Sequence, residues 1–114
     1  QPNVLVCLTQ QAYNKFASII RPGGLLLTDQ RFVETQRKVD ARQFELPMYT
    51  QVMEKIGRPI VFNICMLGAF VELTGVVQHE SVRSVLKHRI PSGFLEINYQ
   101  ALDIGRELAR DLAP

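Results

Sequence analysis

The sequence is poor in several kinds of residue, and each shortage argues against a class of function. Tryptophan is absent and aromatic residues make up only 8% of the chain, so no stacking platform for single-stranded nucleic acid is evident. The formal net charge of +2 is too small to indicate a nucleic acid or an anionic membrane as partner. The longest apolar candidate, residues 60–77, is interrupted by polar residues and falls short of the ~20 apolar residues of a membrane span. We therefore expect no nucleic-acid partner, no membrane span and a cytoplasmic location.

Motifs that indicate catalysis or metal binding are also missing. Cys7 and Cys65 lie far apart in apolar stretches, and neither has a Cys or His at metal-ligand spacing. The sequence contains no G-x-S-x-G, no G-x-G-x-x-G and no Walker A motif. His79 and His88 fall on different faces of a predicted helix and are expected to be solvated. We therefore expect two reduced, buried thiols, no catalytic residue, no metal and no cofactor bound by this chain.

Short apolar runs alternate with helical periodicity in the first 30 residues, a pattern typical of an α/β fold. Residues 4–8 predict a strand buried on both faces of a parallel sheet, and Thr9 is placed to cap a helix that ends near residue 20. Pro22-Gly23-Gly24 forms a turn, and residues 25–27 predict a second buried strand, which completes a parallel βαβ unit. Because a buried strand needs neighbours on both sides, we expect a further segment upstream of the first strand.

The remaining sequence predicts a charged loop, a weak edge strand and four more helices. The loop covers residues 29–42, whose basic side chains are either solvated or face an acidic partner or a phosphate, and the strand lies around residues 42–46. The four helices are predicted at residues 47–57, 60–74, 79–90 and 95–112. The predicted buried faces are Ala12, Phe16, Ile19 and Ile20; Tyr49, Val52, Met53 and Ile56; Val82, Val85 and Leu86; and positions 97, 101, 104, 108 and 112.

The predicted helix at residues 60–74 has no polar face, so it is either central to the fold or covered by a partner. Gly68 in its middle costs roughly 1 kcal/mol relative to alanine, which indicates that another element approaches closely there. Acidic and basic side chains alternate along the last helix, and we expect Asp103, Arg106, Glu107 and Arg110 to form a solvated face with charge pairs along it.

Three stretches of the sequence, taken in order, carry a resemblance to a known family. They are Asn3-Val4-Leu5-Val6 with Gln10, Ala12-Tyr13, Lys15-Phe16 and Pro22-Gly23-Gly24; Asn63-Ile64-Cys65-Met66-Leu67-Gly68-Ala69 with Leu73-Thr74-Gly75; and Glu96-Ile97-Asn98 with Ala101 and Gly105. The second resembles an N-x-x-x-L-G-A helix and the third a closing E-x-N-x-x-A-x-x-x-G pattern. Together they resemble the gamma subunit of 2-oxoacid:ferredoxin oxidoreductases over nearly the whole chain. Pro91-x-Gly93-x-x-Glu96-x-Asn98 is most similar to the 2-oxoglutarate branch.

The resemblance implies a three-layer α/β/α domain with a mostly parallel sheet, of which residues 1–114 form the C-terminal part. The family's glycine-rich segment G-x-G-G-Q-G does not occur in this sequence, so an N-terminal strand–helix segment is expected to be missing. The resemblance further implies a non-catalytic component of a complex that oxidatively decarboxylates a 2-oxoacid, forms an acyl-CoA and reduces ferredoxin. Thiamine diphosphate, Mg²⁺ and iron–sulfur clusters are then expected in thiamine-binding and ferredoxin-like partner subunits.

Asn63, Met66, Gly68 and Asn98 are the candidate residues of a subunit interface. For the two asparagines, capping of a helix is the alternative role, and for Asn63 also a buried amide bonded to the backbone. We expect the isolated chain to self-associate through its first strand and its apolar helix, unless the last helix folds back over that helix. Two functional alternatives stay open. One is a free-standing doubly wound domain that binds a protein or a small molecule, and the other is the corresponding subunit of an indolepyruvate oxidoreductase.

Overall fold

A parallel three-stranded sheet forms the centre of the N-terminal unit, Gln1–Pro47, in the computed structural model. Its elements are β1 (Val4–Cys7), α1 (Gln10–Phe16), a 3₁₀ turn (Ala17–Ile19), β2 (Gly24–Asp29) and β3 (Ala41–Leu46). The strands lie in the order β1-β2-β3, with Val4 opposite Leu25 and Gly24 opposite Ala41, and both pairs are parallel. The predicted α/β class, the βαβ unit and the edge strand are confirmed.

The strands differ in burial because they differ in their neighbours. Leu25, Leu26 and Leu27 of the central strand β2 are buried, as expected. β1 was predicted to be buried on both faces, but only Cys7 is fully buried and the rest of the strand is half-buried. Within the part of the chain that the structure describes, residues 1–112, β1 pairs with β2 alone. A strand with one neighbour leaves backbone groups on its other edge unpaired.

α1 begins at the predicted cap, and its buried face was predicted in part, since Ile20 is buried and Ala12 is partly buried against the core as expected. The Thr9 hydroxyl accepts a hydrogen bond from the backbone N–H of Ala12 at 3.1 Å. The residues buried on this side are Tyr13, Ala17 and Ile20, whereas Phe16 and Ile19 are exposed. These three buried residues are spaced i, i+4 and i+7, so they form a helical stripe beside the predicted one, and it faces the core that includes Cys7 and Leu26.

Side chains hold the loop at residues 30–40, which joins β2 to β3. The Gln10 side chain accepts from the backbone N–H of Glu34 at 2.6 Å and donates to its carbonyl oxygen at 3.1 Å. The buried Tyr13 hydroxyl accepts from the backbone N–H of Gln36 at 2.7 Å and donates to Oε1 of Gln43 at 2.9 Å. The predicted charged loop is therefore fixed to α1 and β3 by neutral side chains.

The second unit, Met48–Pro114, is helical over its described residues. Its elements are α2 (Met48–Lys55), a 3₁₀ turn (Pro59–Val61), α3 (Phe62–Thr74), α4 (His79–Arg89) and α5 (Ser92–Leu112). All four predicted helices are present, although α5 begins three residues earlier than predicted, so that Gly93 lies in its first turn. The predicted burial of position 112 concerns a side chain outside the described part. Among the described helices, none combines the length and apolarity needed to cross a bilayer.

α3 and α5 approach each other so closely that their backbones are in contact. A Cβ atom placed on Gly68 would overlap the carbonyl oxygen of Leu102 and lie 3.0 Å from its carbonyl carbon. A Cβ atom on Gly105 would overlap the carbonyl oxygen of Cys65 and lie 2.8 Å from the backbone nitrogen of Ala69. The close approach predicted at Gly68 is confirmed, and the approaching element is α5, which folds over α3 as the alternative prediction required.

The buried faces of the shorter helices were predicted only in part. Val52 of α2 and Leu86 of α4 are buried as expected, but Met53 and Val85 are exposed. Between α4 and α5, the guanidinium of Arg83 lies 3.1 Å from the carboxylate of Asp103.

Charged side chains of α5 pair with other helices and not along α5 itself. Arg106 and Arg110 approach the same carboxylate oxygen of Glu72 on α3, at 3.6 Å and 3.5 Å. The predicted pairing along α5 is therefore wrong, since Asp103 and both arginines find partners on the helices packed beside it.

Candidate functional site

An apolar cleft of about 280 Å³ is formed by the first turns of α3 and α5 and the junction before α5. It is lined by Ile60, Val61, Asn63, Ile64, Ile90, Pro91, Phe94, Ile97 and Asn98. Ile60 is 80% exposed and Phe94 is 52% exposed, so large apolar side chains face solvent at its rim. Concave apolar surfaces with a few polar groups are typical binding sites, and contiguous exposed apolar patches mark interaction surfaces.

The structure brings two of the four predicted interface residues, Asn63 and Asn98, into this cleft. Asn98 is buried and its amide donates to the carbonyl oxygen of Phe94 at 2.8 Å. It lies well inside α5, which begins at Ser92, so the prediction of a helix cap is wrong. Asn63 is exposed in the first turn of α3, and the cap position there is Val61, which makes no side-chain capping bond. Asn63 is thus neither a cap nor a buried amide, and its side chain is available at the cleft.

The other two predicted interface residues lie elsewhere on α3. Met66 is half-buried and does not line the cleft. Gly68 is buried against Leu102 of the same chain, so its role is to let α5 approach. The apolar lining of the cleft was missed by the sequence analysis. Two positions in the sequence could have indicated the cleft: Ile60 directly follows Pro59, and Ile90 directly precedes Pro91.

A second, more polar cavity of about 380 Å³ contains His79. His79 was predicted to be solvated, which is wrong: both ring nitrogens are buried and have no hydrogen-bond partner among the described residues. Desolvation, and then the nearby Arg106 guanidinium, lower the pKa of this imidazole below its ordinary value. His88, on the same helix, is exposed as predicted. His79 is therefore neutral at pH 7.

Metal-binding groups are sparse in the described residues. No cluster of three or more His, Cys, Asp or Glu side chains that could hold a metal ion occurs in residues 1–112. Cys7 and Cys65 are buried and form no disulfide bond, as predicted, and burial raises the pKa of the Cys7 thiol. In the loop before β3, Arg37 and Lys38 are exposed. The geometry thus offers an apolar cleft, a histidine cavity and a basic loop, and none of these is a catalytic constellation of nucleophile and base.

Comparison with known proteins gives consistent matches over nearly the whole chain. The chain is 40% identical to 2-oxoglutarate synthase subunit KorC of Methanocaldococcus jannaschii over 98% of its own length and 61% of that protein. It is 34% identical to the gamma subunit of a keto/oxoacid ferredoxin oxidoreductase from Geobacter sulfurreducens, with a TM-score of 0.90 over 97% of this chain and 63% of the subunit. The chain therefore spans about three fifths of the length of these relatives.

A more distant structure shares the fold alone. The 2-oxoglutarate:ferredoxin oxidoreductase of Magnetococcus marinus, solved with 2-oxoglutarate, coenzyme A and succinyl-CoA bound, is 22% identical with a TM-score of 0.84, and the match covers 97% of this chain and 20% of that one.

The family model described as pyruvate ferredoxin/flavodoxin oxidoreductase matches residues 1–108. With that match over most of its length, this chain belongs to the pyruvate ferredoxin/flavodoxin oxidoreductase family.

Proposed function

We propose that residues 1–114 are the C-terminal part of a gamma-type component of a cytoplasmic 2-oxoglutarate:ferredoxin oxidoreductase. The observation that carries the proposal is the 40% identity to KorC over 98% of the chain. In the proposed reaction, 2-oxoglutarate and coenzyme A give succinyl-CoA and CO₂. The two electrons released pass through iron–sulfur clusters to ferredoxin.

In this proposal, the chain does not carry out the chemistry itself. Among residues 1–112, neither Asn98 nor His79 belongs to a nucleophile–base pair: the amide of Asn98 donates to Phe94, and the ring nitrogens of His79 have no hydrogen-bond partner. Thiamine diphosphate, Mg²⁺ and the clusters belong to thiamine-binding and ferredoxin-like partner subunits. The chain contributes a packed scaffold and a surface for assembly.

We place the contact with a partner subunit at the apolar cleft. Ile60 and Phe94 expose large apolar surfaces at its rim, and Asn63 and Asn98 supply amide groups at its wall. Interfaces of this kind combine an apolar centre with a few satisfied polar groups. Met66, which is half-buried and outside the cleft, is a further proposed contact residue, and Gly68 contributes by letting α5 approach α3.

Co-purification tests the proposed function. The tagged chain, expressed in its own organism, is expected to recover thiamine-binding and ferredoxin-like subunits. The recovered complex is expected to reduce an electron acceptor when supplied with 2-oxoglutarate and coenzyme A. Activity with pyruvate or indolepyruvate instead would move the chain to another branch. Recovery of the chain alone would favour a free-standing binding domain.

Substitution at the cleft tests the interface separately. Ile60→Ser changes a side chain that is 80% exposed, so the fold is expected to persist while recovery of the partner falls. Val85→Ser is the matched control, since Val85 is an exposed β-branched residue on α4 that does not line the cleft. Equal recovery by both variants would contradict the placement of the interface without affecting the proposed activity.

A further inference from the structure

His79 lies at the first residue of α4, where α4 meets α3 and α5. The cavity around it is lined by Val71 and Glu72 of α3 and by Arg106 of α5. Both of its ring nitrogens are buried without a hydrogen-bond partner among the described residues. A buried polar side chain without partners is tolerated most easily when it carries no charge.

The carboxylates of α3 and α5 that lie near His79 are already paired with arginines. Glu72 is already shared by two guanidiniums, those of Arg106 and Arg110, at 3.6 Å and 3.5 Å. Asp103 on α5 is held by Arg83 at 3.1 Å. Glu80, next to His79 on α4, is exposed. Glu80 lines the same cavity, and solvent screens its exposed carboxylate. On the packed helices, the two carboxylates Glu72 and Asp103 face the three guanidiniums of Arg83, Arg106 and Arg110, which leaves a net charge of +1 before His79 is protonated.

We propose that protonation of His79 loosens α4 from α3 and α5 and so makes the helical unit acid-sensitive. A charged imidazole would be desolvated beside two arginines whose shared carboxylate is already engaged. Opening of α4 exposes the ring to water and removes that cost. The neutral ring therefore holds α4 in place, and the protonated ring favours its release.

The sign of the pH dependence follows from proton linkage. The pKa of His79 is lowered from its ordinary value of 6.5 in the folded chain, so the open state binds the proton more tightly than the closed one. The closed state is fully favoured above pH 6.5 and loses stability as the pH falls through 6.5 toward the lowered pKa. For each pKa unit by which the closed state lies below the open state, full protonation of His79 shifts the equilibrium about tenfold toward opening.

Two measurements on the 114-residue chain test this proposal. The first is NMR titration of His79, whose pKa is expected to lie below its ordinary value of 6.5. The second is native-state hydrogen exchange of the α4 amides on either side of the transition, in which opening is expected to increase at acidic pH. The acid-induced increase in the opening equilibrium must equal ten raised to the difference between the pKa values of His79 in the open and closed states.

The variants His79→Gln and His88→Gln separate this role from a general effect of acid. Because glutamine stays neutral at every pH, His79→Gln is expected to abolish the acid-induced opening of α4. His88→Gln is expected to retain it. A pKa of His79 at or above its ordinary value of 6.5, or the same acid-induced opening in both variants, would overturn the proposal. If His79→Gln does not fold, the unmodified chain alone tests the proposal. It is supported if the change in exchange matches the measured pKa difference, and overturned if the two disagree.

Discussion

Replacing Gly68 by alanine tests the backbone contact that holds α3 against α5. Alanine improves helix propensity by about 1 kcal/mol, so an isolated helix would gain stability. In the folded chain the new Cβ would overlap the carbonyl oxygen of Leu102 and lie 3.0 Å and 3.2 Å from its carbonyl carbon and Cα. These are backbone atoms of a long helix and cannot rotate away.

Because α5 must shift as a whole to admit the methyl group, the cost of overpacking falls in the upper part of the usual range of about 1–3 kcal/mol. The expected net effect of Gly68→Ala is a loss of about 1–2 kcal/mol. For a domain near this size, such a loss lowers the melting temperature by roughly 5–10 °C. Urea denaturation followed by circular dichroism measures the change, with thermal melting as a second measurement.

Gly93→Ala is the matched control for this substitution. Gly93 also lies in α5, but a Cβ atom there meets nothing within 4 Å. Only the gain in helix propensity remains, so stability is expected to stay equal or rise by up to about 1 kcal/mol. Gly105→Ala, which faces Cys65 and Ala69 from the opposite helix, is expected to behave like Gly68→Ala. A Gly68→Ala variant that unfolds at or above the urea midpoint of the unmodified chain, with the same slope, would refute the reasoning.

Three further predictions concern the loop, the cofactor and the state of assembly. Tyr13→Phe removes the hydroxyl that accepts from Gln36 and donates to Gln43. The free energy of unfolding measured in urea is expected to fall by about 1 kcal/mol, and hydrogen exchange of the Gln36 amide is expected to become faster. Unchanged exchange of that amide would contradict this role of Tyr13. The isolated chain is expected to show no turnover and no heat of binding in calorimetric titration with thiamine diphosphate and Mg²⁺, and micromolar binding would show the expectation to be wrong. Because α5 covers α3, self-association through α3 is no longer expected. The unpaired edge of β1 and the exposed Ile60 still predict a mass above that of the monomer in light scattering at tens of micromolar, and a monomer mass would count against both surfaces.

Local chemistry determined much of this structure. Thr9 caps α1 because its hydroxyl can reach the N–H of Ala12, an interaction that needs only residues close in sequence. The apolar run at Leu25–Leu27 predicts a buried central strand because no polar side chain interrupts it. Prolines and glycines set the limits of the helices to within a few residues, since their backbone restrictions act locally. Gly68 alone signalled that another element approaches α3 closely.

Packing between elements decided what periodicity could not. In α1, Tyr13 and Ala17 are buried and Phe16 is not, because the first two face the core formed with Cys7 and Leu26. The ring nitrogens of the half-buried His79 are buried because α3 and α5 pack beside it. The charges of α5 found partners on α3 and α4, which no spacing within α5 reveals. Asn63 and Asn98 are distant in sequence and line one cleft only because α5 folds back along α3. Residue order thus determined the elements, whereas burial, charge pairing and the cleft depend on distances across the chain that only the folded structure defines.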